Sequence, residues 1–261
     1  MKPHRARKRF GQHFLVSPGV IRNIVEAIDP RPGESVVEIG PGLGALTAPL
    51  LTRLDHLHVI EIDRDLVARL KERFPPERLT IHSGDALAFD FATLAGGGLL
   101  KIVGNLPYNI SSALLFHLAG YAEHIAAMIF MLQKEVVERM VAQPGTAAYG
   151  RLSVMLQYRF RIERLCVVPP GAFAPPPQVD SALVRMIPID VAQRAVEERV
   201  QDAARFARLV AAAFAQRRKM LRNALQAFVG EDWLAQFGIR PTARAEELSV
   251  ADYVRLANAL K

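Results

Sequence analysis

Four short apolar runs, each ending at a glycine or a polar residue, set the rhythm of the N-terminal half of the chain: Ser35 to Ile39, Leu57 to Ile60, Leu79 to His82 and Leu99 to Val103. Runs of this length bounded by turn residues read as buried parallel strands, because a strand covered on both faces needs no apolar-polar alternation. Segments of helical composition lie between them, such as Ala45 to Leu54, and Ser17-Pro18 places a good N-cap and first helical residue at the start of an earlier helix. The alternation continues to about Phe130 and predicts an α/β fold, a doubly wound sheet whose ligand sits at the carboxyl ends of its strands. Arg151 to Ile187 add strand-like runs broken by Pro169-Pro170 and Pro175-Pro176-Pro177. From about Val191 the pattern turns helical, with a capping box at Ser249 and Asp252 opening the last helix. The expected organisation is a basic arm over 1–10, a large domain over 11–188 and a small all-helical domain over 189–261.

What stands at the strand ends carries the chemistry. Gly40-Pro41-Gly42-Leu43-Gly44 follows the first run and precedes a helix. Glycines there remove the Cβ atoms that would collide with a nucleotide-like ligand. The second run ends at Glu61, about 20 residues past the first glycine, where a carboxylate can accept both hydroxyls of a ribose. The third ends in Ser83-Gly84-Asp85-Ala86, and Asp85 suits the adenine amino group of a cofactor. Upstream, Gln12 and His13 are polar residues able to fold over that cofactor. Gly40, Gly42 and Ala45 also satisfy the dinucleotide pattern G-x-G-x-x-G/A, so the glycines alone do not choose the cofactor. Gly44 and the acids at two successive strand ends favour S-adenosylmethionine over a nicotinamide, for which no hydride-handling His or Arg is placed.

The fourth run leads into Asn105-Leu106-Pro107-Tyr108. The exocyclic nitrogen of adenine shares its lone pair with the ring and is a poor nucleophile until drawn towards tetrahedral geometry. The Asn105 carboxamide oxygen and the Leu106 carbonyl can each accept one of its N–H bonds, and Pro107 fixes φ near −65° behind that carbonyl. Tyr108 offers a face on which a flipped base can stack, worth roughly 1–3 kcal/mol. Taken alone, the tetrapeptide is equally compatible with a strand-end turn; its place after the glycine and acid motifs is what points to amine methylation.

The formal charge of +7 and pI near 9.8 suit a polyanionic partner without specifying which. Lys2, Arg5, Arg7, Lys8 and Arg9 crowd the N-terminus as an arm able to contact phosphates. Arg217, Arg218, Lys219 and Arg222 form a second basic cluster, with Arg218 and Arg222 at the spacing of one helical face, and are the candidate RNA-binding residues. The single cysteine, Cys166, excludes an intrachain disulfide and a cysteine-rich zinc site, and no metal is expected. With no apolar stretch near the roughly 20 residues of a membrane span and no secretory start, the expectation is a cytoplasmic protein without membrane contact.

Assembled, these motifs resemble the ribosomal RNA adenine N6-dimethyltransferase family, and within it the branch acting on small-subunit (16S) rRNA. The resemblance runs from about Arg9 to the C-terminus. It is carried by Gly11-Gln12-His13-Phe14-Leu15, Glu38 to Gly44, Glu61, Gly84-Asp85, Asn105 to Tyr108, and Phe173-Ala174-Pro175-Pro176-Pro177-Gln178-Val179-Asp180-Ser181. It implies a Rossmann-like class I S-adenosylmethionine-dependent methyltransferase sheet with a small C-terminal helical domain. Cofactor contacts are implied from Gln12, His13, Leu15, Gly40 and Gly42, and further from Glu61, Ile62, Asp85, Ala86 and Asn105. The Phe173 ring is implied to stack on the target base opposite Tyr108. The implied partner is small-subunit rRNA within an immature 30S particle, bound by a monomer. His13 departs from the Asn that the family often has there. Three rivals stay open: a large-subunit rRNA methyltransferase of the antibiotic-resistance type, a DNA adenine methyltransferase, from which Leu106 departs, and a chiefly non-catalytic ribosome-assembly factor.

Overall fold

A computed structural model describes residues 7, 11–190, 193–216, 219–230, 233–240 and 242–260. The chain divides into two units, residues 1–137 with 162–188 and residues 138–161 with 189–261.

The first unit is built on a seven-stranded sheet. In chain order its strands are β2 (Ser35–Ile39), β3 (Leu57–Glu61), β4 (Leu79–Ser83), β5 (Leu100–Asn105), β6 (Ile125–Gln133), β7 (Phe160–Val168) and β9 (Ser181–Pro188). They lie in the spatial order β4-β3-β2-β5-β6-β9-β7. Pairing is parallel from β4 through β6, and β9 runs antiparallel to β6. All four sequence-predicted runs became parallel strands, three of them ending further on at a polar residue, Glu61, Ser83 and Asn105. Between them run α1 (Pro18–Ile28), α2 (Thr47–Leu51), α3 (Arg64–Arg73), α4 (Ala92–Ala95) and α5 (Ser111–Ala119). Val37, Leu57, Val59, Leu100, Ile102 and Val103 are all sealed from solvent, the reason these strands read as continuous apolar runs. The order reverses at β2, which lies between β3 and β5, so the loops after β2 and β5 diverge and leave a crevice. Gly104 permits the closeness of those two strands: a Cβ on it would stand 2.4 Å from the Ile39 carbonyl oxygen. A second, two-stranded sheet pairs β1 (Phe14–Leu15) with β8 (Phe173–Ala174).

The second unit is helical. Its core gathers Phe206, Leu209, Val210 and Ala213 from α8 (Ala203–Ala215), Leu221 from α9 (Leu221–Ala224) and Tyr253, Val254 and Leu256 from α10 (Val250–Ala259). Ser249 and Asp252 make the expected capping box. Two sequence expectations need revision. Arg151 to Arg159 is a helix, α7, and not a strand; α6 (Lys134–Val141) precedes it. The organisation also departs from a single cut at residue 188, because residues 138–161 pack with the C-terminal helices: Tyr149, Val154 and Tyr158 are buried in the same core as Phe206 and Tyr253. Within that unit Val200 N–H donates to the Tyr158 hydroxyl at 2.9 Å. Among the described residues no helix is long and apolar enough to cross a membrane.

Candidate active site

Gly40, Glu61, Asp85 and Asn105, from the ends of four parallel strands consecutive in the chain, line one cleft that is open to solvent. Parallel pairing explains the convergence. Ile39 is level with Ile60, and Glu61 with Ser83, so the loops leave the sheet side by side. Gly40, Gly42 and Gly44 all take positive φ (68°, 58° and 80°), and Gly40 N–H is anchored to the Ile60 carbonyl at 2.9 Å. A Cβ on Gly42 would stand 3.1 Å from the Phe14 ring, so the glycine leaves a cradle that any side chain would crowd.

Glu61 is buried at the edge of that cradle. Its Oε1 accepts from Asp63 N–H at 2.9 Å and its Oε2 from Gly42 N–H at 3.3 Å. Burial raises its pKa above the ordinary carboxylate value, and these main-chain donors pull it back. Behind it, Glu38 on β2 is 1% exposed and accepts a 2.6 Å hydrogen bond from the Thr47 hydroxyl. Burial, only partly offset by that bond and reinforced by Glu61, pushes Glu38 up to about 7. Asp85 is exposed, and its Oδ1 accepts from Leu87 N–H at 2.9 Å in a local turn that fixes the carboxylate at the cleft.

The loop after β5 is held from three sides. Asn105 donates through Nδ2 to the His13 carbonyl at 2.8 Å, which leaves Oδ1 as the acceptor end of the amide in the cleft. Leu106 is 1% exposed and its N–H donates to the Met131 carbonyl on β6 at 3.1 Å. The Tyr108 hydroxyl meets the buried Ser181 hydroxyl at 2.6 Å, and burial raises the Tyr108 pKa. The His13 ring stacks on that of Tyr108 (centroids 5.6 Å apart, planes at 26°), and its Nδ1 donates to the Pro175 carbonyl at 2.8 Å.

Of the residues proposed from sequence, Gln12, His13, Gly40, Gly42, Glu61, Ile62, Asp85, Ala86 and Asn105 to Tyr108 all line this cleft. Leu15 and Phe173 do not. They face each other across the β1–β8 pair, 5% and 3% exposed, in the hydrophobic core with Val168 and Leu183. Both side chains are packed in the core, and neither residue is among those lining the cleft, where the resemblance implied a cofactor contact for Leu15 and base stacking for Phe173. On a two-residue strand only one face can point inward, and Phe173, next to the exposed Ala174, takes it. Each end of the Gln12 amide has a partner, Oε1 the Arg7 N–H and Nε2 Asp63, which leaves one N–H and one oxygen lone pair of the amide unspent by these bonds. Lys219 is exposed and Arg222 half-buried at α9, whereas Arg217 and Arg218 lie outside the described residues, as do Lys2, Arg5, Lys8 and Arg9. Sequence reasoning gave no role to Asp63, Asn109 or Ser181. Ser181 lay inside a quoted motif, and Asp63 stood as a helix N-cap two residues after Glu61. Among the described residues no group of three or more His, Cys, Asp or Glu side chains is arranged to hold a metal ion.

The donor set fits S-adenosylmethionine: a glycine cradle, one buried and one exposed carboxylate for the hydroxyls and amine of an adenosine, and net acidity for a sulfonium cation. Relatives agree. The chain is 63% identical over 258 residues to a protein of Aromatoleum aromaticum named ribosomal RNA small subunit methyltransferase A, covering 99% of this chain and 95% of that one. It is 58% identical to the protein of the same name from Dechloromonas aromatica, over the full length of both. Among solved structures, a dimethyladenosine transferase from Plasmodium falciparum superposes with a TM-score of 0.79 at 26% identity, covering 94% of this chain and 96% of that one. The 23S rRNA methyltransferase ErmE superposes at 0.68, also at 26% identity, covering 95% and 99%. The family model described as ribosomal RNA adenine dimethylase matches residues 3–261, and the chain belongs to that family.

Proposed function

We propose that this chain dimethylates the N6 amino groups of adjacent adenines in small-subunit rRNA with S-adenosylmethionine as methyl donor, as a step in ribosome biogenesis. The carrying observation is the Asn105 amide, which lines the cleft and whose Nδ2 donates to the His13 carbonyl, leaving Oδ1 as its acceptor end. The small-subunit substrate is supported by relatives that share about three-fifths of their residues with this chain over its whole length.

When bound, the cofactor supplies an already activated sulfonium methyl, so the chain's task is proximity and orientation. Glu61 and Asp85 hold the adenosine, with Ile62 and Ala86 beside them. Asn105 Oδ1 and the Leu106 carbonyl accept the two N–H bonds of the target amine and draw its nitrogen out of conjugation. Tyr108, fixed by Ser181 and His13, is the stacking face. No strong base is required, because the methylated nitrogen is acidic while positively charged and releases its proton to water. Lys219, Arg222 and the N-terminal Lys2, Arg5, Lys8 and Arg9 contact phosphates of an rRNA presented by an immature 30S particle, to which the chain binds as a cytoplasmic monomer.

The test is incubation with radiolabelled S-adenosylmethionine and under-methylated small subunits, followed by nucleoside analysis for N6,N6-dimethyladenosine. Label in that nucleoside is expected. Label confined to large-subunit RNA would move the assignment to the resistance-type activity, and subunit binding without label would make the chain an assembly factor. Asn105→Ala is expected to lower kcat by roughly a hundredfold while affecting cofactor Kd less, the scale on which a lost positioning contact acts. Equal activity would remove Asn105 from the mechanism.

A further inference from the structure

We infer that Arg7 is a positioning residue for the cofactor cleft, closing with Gln12 and Asp63 a three-point latch that ties residues 7 and 12 to the start of α3. The inference rests on the reading that Glu61 and its neighbours hold S-adenosylmethionine.

Three contacts make the latch. Arg7 Nη1 donates to Asp63 Oδ1 at 2.9 Å, the Arg7 main-chain N–H donates to Gln12 Oε1 at 2.8 Å, and Gln12 Nε2 donates to Asp63 Oδ2 at 3.2 Å. The second prong of the guanidinium, Nη2, reaches Asp65. Asp63 is the pivot. Its side chain is fully buried, its Oδ1 caps α3 by accepting Asp65 N–H at 3.0 Å, and its own N–H donates to Glu61 Oε1. A buried carboxylate next to a second one needs a counter-charge, and Arg7, with 34% of its side chain exposed, supplies it. The planar guanidinium addresses the two carboxylates with separate prongs of one rigid fork, a geometry that the point-like ammonium of a lysine does not reproduce.

The consequence runs to the cleft by two routes. Gln12 lines the cleft, and both ends of its amide are oriented by the latch, one by Arg7 itself and one by the Asp63 that Arg7 holds. Glu61 lines it too, and its Oε1 is positioned by the Asp63 main chain. Arg7 therefore acts through two lining residues without lining the cleft. Its guanidinium is committed to carboxylates, so its role differs from the phosphate contact that a basic N-terminal arm suggests.

The experiment measures the Kd of S-adenosylmethionine and S-adenosylhomocysteine by calorimetry on the full chain, alongside steady-state kinetics. Arg7→Met is expected to raise both dissociation constants about tenfold, or about 1.4 kcal/mol, and the cofactor KM by a similar factor, with kcat within about twofold. Arg7→Met combined with Gln12→Ala is expected to weaken binding no more than the stronger single variant, because both break one latch. Asp65→Asn, at a carboxylate 61% exposed, is expected to raise Kd no more than Arg7→Lys does, and a larger rise than that of Arg7→Met overturns Asp63 as the pivot. Should Arg7→Met unfold too readily to titrate, Arg7→Lys carries the test: it keeps the charge, loses the fork and is expected to raise Kd about threefold. Unchanged cofactor Kd in the Arg7 variants, or a rise in KM for RNA alone, overturns the latch. Glu61→Gln separates the two levels. If it weakens cofactor binding while the Arg7 variants do not, only the latch is wrong; if it leaves binding intact, the reading of the cleft fails first.

Discussion

Glu38→Gln is expected to make the protein more stable at pH 8 and leave it nearly unchanged at pH 5. Glu38 lies in the middle of the sheet, 1% exposed, opposite Val59 on one side and Val103 on the other, with Thr47 donating to its Oε2. Burial raises its pKa from 4.5 to about 7. A raised carboxyl pKa means that the folded state holds a proton the unfolded chain releases. Between pH 4.5 and 7 the unfolded state is therefore the one that ionises, and stability falls as pH rises through that window. At about 1.4 kcal/mol per unit, the loss amounts to roughly 3 kcal/mol once pH exceeds 7. Glutamine mimics the shape of the neutral acid, can still accept from Thr47 and never ionises. The assay is urea unfolding of both proteins by circular dichroism at half-unit steps from pH 5 to 8, with ΔG taken by linear extrapolation. The gap between variant and parent should open with rising pH in favour of glutamine. A gap that is constant with pH, or a parent that gains on the variant towards pH 8, refutes the reasoning.

The remaining tests address other layers of the structure. His58 Nδ1 lies 3.2 Å from His82 Nε2, and burial with two neighbouring imidazoles depresses His58 to about 4. The unfolded chain thus takes up the proton first, stability falls as pH drops from 6.5 towards 4, and His58→Gln should flatten that slope in the same titrations; an unaltered slope rejects the assignment. Phe173→Leu should lower unfolding stability by about 1–1.5 kcal/mol while the KM for RNA stays within twofold, whereas a large rise in that KM at unchanged stability would restore the base-stacking role. Gly104→Ala, which would set a Cβ against the Ile39 carbonyl, should destabilise by about 3 kcal/mol or more in urea unfolding, and a neutral result would mean that β2 and β5 can separate without cost.

Much of the site was legible because its signals are local. The strand runs are apolar on both faces whatever they pair with, the glycines take the positive φ that only a turn requires, Glu61 and Asn105 close their strands, and Asp85 stands two residues past the end of β4. A parallel sheet then brings such ends together. Arg151 to Arg159 reads as a strand because Leu152, Val154, Leu156 and Tyr158 recur at every second position, with only Met155 among the intervening residues apolar, a strand-like period within a helix whose buried positions extend around it. That surface is covered by residues more than forty positions later in the chain, among them Phe206 and Tyr253.

The amino-acid sequence by itself determined the α/β class, the strand ends and the residues at the cleft, because each depends on hydrophobic patterning and backbone chemistry within a few positions. Only the tertiary structure decided that Phe173 and Leu15 belong to the core, that residues 138–161 pack with the C-terminal helices, that Arg7 serves an internal carboxylate, and that Glu38 titrates near neutrality. Each of these follows from what covers a residue or what charge faces it, over separations such as the 56 positions between Arg7 and Asp63. Local pattern fixes which elements form, and packing fixes which side chains remain for chemistry.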